Sequence, residues 1–289
     1  MNILKYTSIL SIFLFLCVNS FSEARVKYEA SIKVKKDMNL VVDNKNGNIK
    51  IETWDSDTVE LKAIKFSFSW GAKDEIDNVE IVPFQSGNDV VIETRYPDYL
   101  ETGKVAVYYS IMIPDFINIK ELQNSNGKIE INGGRGNCII STSNGRIEVN
   151  DYEGDIEAYT SNGGIYLNNI FGNCSGTTSN ARIKVINVEG DLDFKNSNAG
   201  VFFENITGNI SAIADNGKIS VSSSTGNMTL KTSFGSIEAF DSEGDLLLFS
   251  SFGKIQVENI SGFVRAKTDN GSVKIIETSG IITAETTNG

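Results

Sequence analysis

Acidic side chains recur on neighbouring repeats of this chain, and paired carboxylates are the groups that hydrolyse glycosidic bonds. They are Asp151, Glu153, Asp155, Glu157, Glu189, Asp191 and Asp193. If each 18-residue repeat forms one coil, Asp155 and Asp191 lie two coils apart. That is about 9.6 Å, at the upper end of the range for inverting enzymes. An even repeat without long loops predicts no cleft. The pattern therefore favours a solvated acidic face, with a carbohydrate-active β-helix enzyme as the alternative.

A calcium-organised β-roll is the second alternative, because its coils also contain two nonapeptides. That motif places an Asp at every turn, whereas the corners here carry mostly Asn, Ser or Thr. The chain contains no histidine, which argues against the acyltransferases built on hexapeptide repeats. We therefore expect no catalytic residue, no metal site and no cofactor.

One set of outward positions has the composition of a contact surface. Tyr166, Lys184 and Phe202 follow one another at 18-residue intervals with outward parity. Exposed aromatic rings beside a cation can stack on a sugar or on a protein side chain. These three residues, called the aromatic ladder below, are the predicted ligand-contact site.

A period of 18 residues organises everything from residue 126 to residue 289. Asn-Gly or a related pair recurs at each corner, and a second glycine series from Gly136 to Gly280 lies nine residues out of phase. Apolar residues alternate between these turns, as in strands with one buried face. The sequence predicts an all-β, single-stranded β-solenoid of nine 18-residue repeats with two strands per coil. Cys138 and Cys174 fall in one inward column, too far apart for a disulfide.

The corner pair shows a compensation. Ala replaces Gly at 181 and 199, where Asn is kept, and Phe replaces Asn at 234 and 252, where Gly is kept. Since Asn and Gly accept a left-handed backbone at low cost, we predict one such residue at each corner. We also expect the Asn amides to hydrogen-bond along the column and the two Phe rings to stack. The predicted corner residues are Asn144, Asn162, Asn180, Asn198, Asn216, Gly235, Gly253 and Asn270.

The region before the repeat divides into two parts. Residues 1–24 have the charge, apolar core and small-residue end of a signal peptide; a lipoprotein signal ending at Cys17 is the alternative. Residues 25–125 are β-rich but out of phase with the repeat. They form either a separate β domain or irregular first coils, and we favour a cap over the first open edge. Predicted strands are 38–43, 47–53, 58–67, 78–83, 88–95 and 104–113.

At the other end, the last strand, near 281–286, is expected to leave an edge open to a partner or to end-to-end self-association. The net charge of −11 makes the chain a poor candidate for binding nucleic acid, so we expect no nucleic-acid partner. It leaves an unidentified protein or glycan.

The phrase Asn-Gly-x-Ile-x-Ile followed by Thr53-Trp54-Asp55, the strand at 107–114, and the tandem Ser-Asn-Gly-x-Ile-x-Val units carry a resemblance. Together they resemble the exported bacterial putative-adhesin family, a domain of unknown function related to head-domain auto-transporter adhesins. The resemblance covers roughly residues 38–289. It implies a non-catalytic repeat scaffold or binding surface in the periplasm, at the outer membrane or on the cell surface.

Overall fold

The computed structural model describes residues 24–67, 73–100 and 104–288. Two 13-stranded sheets enclose one continuous apolar core. Sheet A contains β1, β4, β7, β3 and then every odd strand from β9 to β25, and sheet B contains β5, β6, β2 and every even strand from β8 to β26. The bounds of these strands follow.

The elements before the repeat are β1 (Ala24–Lys33), β2 (Asn39–Asp43), β3 (Ile49–Trp54), β4 (Thr58–Ser67), α1 (Lys73–Asp77), β5 (Glu80–Ser86), β6 (Asp89–Arg95) and β7 (Val105–Pro114). β8 (Asn118–Gln123) leads into the repeat, which contains β9 (Ile129–Asn132), β10 (Cys138–Thr142), β11 (Ile147–Glu153), β12 (Ile156–Thr160), β13 (Ile165–Phe171), β14 (Cys174–Thr178), β15 (Ile183–Glu189), β16 (Leu192–Asn196) and β17 (Val201–Thr207). It continues with β18 (Ile210–Ala214), β19 (Ile219–Ser222), β20 (Met228–Thr232), β21 (Ile237–Glu243), β22 (Leu246–Ser250), β23 (Ile255–Ser261), β24 (Val264–Thr268), β25 (Val273–Thr278) and β26 (Ile282–Thr286).

From β8 onward the chain alternates between the two sheets, and each strand pairs in parallel with the strand two further along. Ile147 lies beside Ile165, and Cys138 lies beside Ile156, so that partners are one repeat apart. This register confirms the predicted solenoid of 18-residue coils. Because every residue stacks on its counterpart in the next coil, columns of like side chains run along the whole molecule.

The inward columns form the core that the alternation predicts. Ile147, Val149, Ile156 and Ala158 are all at most 1% exposed, and the same positions are buried in the following coils as far as β24. Each large aliphatic side chain buried this way contributes about 1.5–3 kcal/mol. Cys138 and Cys174 are buried and free in the same column, with Ile156 between them.

Each coil also has a bend that the sequence analysis did not predict. In β11 the buried positions are 147, 149 and then 152, so the parity changes at Asp151, which has a φ of 58°. Seven later residues in this column are also left-handed: Asn169, Asn187, Asn205, Ser223, Asp241, Asn259 and Glu277. The bend turns a third inward column toward the core, which starts at Tyr152. The signal for it is the run of Asn and Asp at this position.

The predicted left-handed corner is wrong for most of the solenoid. None of the predicted corner Asn residues has a positive φ, and Gly235 and Gly253 are not left-handed either. The corner glycines are instead required by close approach, since a Cβ on Gly145 would lie 1.7 Å from the Gly127 carbonyl oxygen. Left-handed glycines occur in the mid-unit series, from Gly136 at 99° to Gly262 at 149°.

The N-terminal strands extend the same two sheets. β3 lies between β7 and β9, and β2 lies between β6 and β8, all in parallel pairs. After β1, which is the edge strand of sheet A, the chain therefore enters the stack at β2 and β3, runs back out to the edge and returns before the regular repeat. This excursion accounts for the 80 residues between Asn46 and Asn126, which occupy adjacent coils. Antiparallel β1, β4 and β5 complete that end.

At the other end, all five residues of β26 are exposed. The predicted signal peptide, residues 1–24, lies outside the described residues apart from Ala24. No helix among the described residues is long and apolar enough to cross a membrane.

The bend column provides a test of where backbone geometry matters. Asn205 has a φ of 56°, so Asn205→Val forces a β-branched residue into a left-handed conformation. We expect a loss of about 1–3 kcal/mol in unfolding free energy. Asn205→Gly, which keeps the conformation available, should cost less. Asn180→Val at the corner should also cost less, because only amide hydrogen bonds are lost there. Thermal and urea denaturation of the three variants compare them, and a greater loss from Asn180→Val would contradict this assignment.

The buried cysteines provide a second test. Burial raises the pKa of both thiols, that of Cys174 to about 12, so almost no thiolate forms near pH 8. Folded protein lacking residues 1–24 should react with a thiol reagent at pH 8 only as fast as it unfolds. The same protein in denaturant, never exposed to reductant, should show two free thiols. An intramolecular disulfide found by mass spectrometry would contradict the stacking register.

Candidate functional site

The aromatic ladder occupies three neighbouring strands of sheet A. Tyr166 in β13 lies beside Lys184 in β15, which lies beside Phe202 in β17. The buried neighbours on either side of each residue turn these side chains outward, and all three are partly exposed. The structure thus brings the three predicted contact residues together on one surface.

Two arginines missed by the sequence analysis border the aromatic ladder. The guanidinium carbon of Arg146 lies 5.4 Å from the Tyr166 ring centroid, and that of Arg182 lies 4.8 Å from the Phe202 ring centroid. Each arginine lies one coil and two residues before its ring in the sequence. This shared spacing could have identified both arginines from the sequence. Gly200 makes room for the second ring, since a Cβ there would lie 2.6 Å from it.

The charge of this surface is locally positive on an acidic protein. Arg146 lies 3.5 Å from the Glu148 carboxylate, whereas Arg182 and Lys184 have no ion-pair partner in the described part of the chain. Two unpaired cations therefore lie between two aromatic rings. This arrangement can contact a π-face, a hydroxyl-rich ligand or an acidic group.

The asparagine side chains at the corner hydrogen-bond to one another along the solenoid, as predicted. Each Asn from Asn126 to Asn216 donates from Nδ2 to Oδ1 of the Asn one coil earlier, at 2.6–3.0 Å. Phe234 and Phe252 then stack with centroids 5.1 Å apart, and Asn288 donates to Asn270 beyond them. On the inner side of the corner, Thr160 Oγ1 donates to the Gly145 carbonyl and accepts from the Gly163 N–H.

The acidic residues considered for catalysis make structural contacts. Asp155 Oδ1 accepts the backbone N–H of Asn173 at 2.8 Å, and Asp191 Oδ1 accepts that of Asn209 at 2.7 Å. The same bond recurs along the column, where Asn137, Asn173, Asn209, Asn227 and Asp245 also accept. An amide thus serves as well as a carboxylate, so the position needs an acceptor and not a charge.

Other members of the acidic set also have partners. Asp151 accepts from Asn169, Glu157 accepts from the Tyr159 hydroxyl, and Glu153 lies 3.7 Å from Arg135. Within residues 24–67, 73–100 and 104–288, no group of three or more Cys, Asp or Glu side chains is placed to hold a metal ion.

Comparison with known proteins finds distant structural likeness. No protein-family model matches the chain, and no curated protein sequence matches it. A solved putative adhesin from Bacteroides fragilis aligns at 12% identity with a TM-score of 0.38, over 90% of this chain and 97% of the other. A putative cell adhesion protein from Clostridium sporogenes aligns at 12% identity and 0.28, over 86% and 99%.

A putative lipid binding protein from Parabacteroides distasonis aligns at 15% identity with a TM-score of 0.31, over 89% of this chain and 96% of the other. These similarities are too distant to assign a family or a function. The functional argument therefore rests on this chain's own residues.

Substitutions of Asp191 can show whether its position needs a hydrogen-bond acceptor or a negative charge. Asp191→Asn keeps the acceptor, so we expect little change in stability. Asp191→Ala leaves the Asn209 N–H without its partner, and should cost about 1 kcal/mol. Denaturation of both variants measures the difference. Equal damage from Asn and Ala would show that stability depends on the negative charge itself, which would contradict the assignment of a neutral acceptor position.

Proposed function

We propose that this chain is an exported, non-catalytic protein of the cell envelope whose solenoid presents an adhesin-like binding surface to a glycan or a protein. The observation that carries the proposal is the aromatic ladder. Tyr166 and Phe202 lie in register on sheet A with the unpaired Lys184 between them. Rings and cations exposed together on a rigid sheet suit recognition without chemistry.

The polar side chains of two other surfaces, the corner and the acidic set, are used to hold the coils together, which supports the choice of the aromatic ladder as the binding surface. Corner asparagines are used in the amide ladder, and Asp155 and Asp191 are used as backbone acceptors. The side chains of Tyr166, Lys184 and Phe202 form no hydrogen bond or ion pair among the described residues. Their polar and aromatic groups are therefore available to a partner.

Export is supported by the signal-peptide pattern of residues 1–24, with Lys5 before the apolar run. The absence of histidine and the structural use of the acidic residues weigh against the enzyme alternative. The overall charge of −11 repels polyanions from most of the protein. A partner is therefore expected to bind at this locally positive surface.

The test is binding of the purified mature protein to glycan arrays and to envelope proteins, followed by substitution of the aromatic ladder. Replacing Tyr166, Lys184 and Phe202 together with Ser should abolish binding and leave the melting temperature nearly unchanged, because all three side chains are outward. A matched control replaces Glu238, Gln256 and Lys274 with Ser in the same column further along the sheet. Undiminished binding by the ladder variant, or equal loss in the control, would contradict the proposal.

A further inference from the structure

Sheet B has a surface groove that contains no residue of the aromatic ladder. It runs along the solenoid axis between the outward side chains of four strands, β18, β20, β22 and β24, and the adjoining corner. Ile213, Lys231, Phe249 and Lys267 form one wall, one residue per coil. The groove is open along its length and lies on the sheet opposite Tyr166 and Phe202.

The strand side of the groove is apolar and cationic. Phe249 is partly exposed, and the Lys231 Nζ lies 5.8 Å from the centre of its ring. Lys267 lies 3.4 Å from the Glu285 carboxylate. The centre of this wall is thus a partly exposed aromatic ring with the Lys231 ammonium over it.

The corner side of the groove is polar and not internally satisfied. Ser233 and Ser251 line it, and their hydroxyls have no hydrogen-bond partner among the described residues. Asp215 and Asp269 stand one coil before and one coil after these serines, and neither forms an ion pair within that part of the chain. Hydroxyl donors and carboxylate acceptors therefore face the aromatic wall.

The charges decide which ligand fits. Two lysines on one wall face two aspartates on the other, and Lys267 is already paired with Glu285. The groove therefore has no excess of positive charge, which favours a neutral ligand over an acidic one. A peptide strand would need free backbone groups to pair with. The strands of this wall are paired with neighbours on both sides, so no such edge is available.

We propose that this groove binds a neutral, extended oligosaccharide. The apolar face of a pyranose ring would stack on Phe249, and its hydroxyls would exchange hydrogen bonds with Ser233, Ser251 and the flanking aspartates. Four coils span about 14 Å at the usual strand spacing, room for roughly three or four sugars in line. The site is separate from the aromatic ladder, so either can fail without the other.

Isoleucine methyl groups provide a direct readout. Ile213 lies in the groove, and Ile186 lies beside Lys184 on sheet A. We would titrate the methyl-labelled protein with the linear hexamers of β-1,4-glucose, β-1,4-N-acetylglucosamine and α-1,4-glucose, assigning signals with Ile213→Val and Ile186→Val. At least one hexamer should shift Ile213. Shifts at Ile186 alone would support the aromatic ladder and overturn the groove, and no shift at Ile213 with any millimolar hexamer would also overturn it.

Phe249→Ala should weaken binding of the active hexamer roughly tenfold, as expected for a lost aromatic contact. Phe240→Ala is the matched control, because Phe240 is a partly exposed ring on the preceding odd strand, β21, in sheet A. It should leave the affinity unchanged. Equal affinity for Phe249→Ala and the unmodified protein, with both folded by circular dichroism, would contradict the proposed stacking.

Length dependence tests the orientation. Affinity should rise from the disaccharide to the tetramer and then level off, because the groove lining ends at Lys267. A polygalacturonate tetramer should bind more weakly than its neutral counterpart, since its carboxylates meet Asp215 and Asp269. Tighter binding of the acidic chain would overturn the assignment of a neutral ligand.

Discussion

The stacking of each residue on its counterpart one coil away is the constraint on which the rest of the structure depends. Neighbouring coils are held about 4.8 Å apart by parallel backbone hydrogen bonds, so every side chain must tolerate a copy of its own position at that distance. Aliphatic groups satisfy this by packing inward, and asparagine amides satisfy it by donating to one another. The column of Asp155 and Asp191 avoids stacked like charges, because Asn173 lies between the two carboxylates and each of them accepts a backbone N–H.

Much of the fold could be predicted because the stacking of coils gives the sequence an 18-residue period. The 18-residue register, the buried columns and the unpaired cysteines all follow from counting. The six strands predicted before the repeat are present, and β4 (Thr58–Ser67) matches its expected bounds. The prediction missed β1 (Ala24–Lys33) and β8 (Asn118–Gln123). Their order in the sheets was not predictable, because the placement of β7 beside β3 depends on long-range pairing that no local pattern records.

The candidate site was predictable in part. Outward parity alone placed Tyr166, Lys184 and Phe202 on one surface, but not the arginines that cover the rings. The corner prediction was wrong in its reason, because Asn and Gly have two uses that a sequence does not distinguish. At Asn187 the residue adopts a left-handed backbone conformation. At Asn180 the side-chain amide donates to the neighbouring coil, and at Gly145 the missing side chain lets two coils approach closely.

The position of β2 and β3 inside the stack has a consequence for the order of folding. Repeat proteins can grow coil upon coil, each new unit adding to a finished neighbour. Here the first coil to emerge has both neighbours downstream, since β7 ends at Pro114 and β9 ends at Asn132. Sequential growth can therefore start only after nearly half of the chain, up to Asn132 of 289 residues, is available. Until then β2 and β3 keep unsatisfied edges. This end of the protein is the slow, high-contact-order step, and the later coils follow it rapidly by local addition.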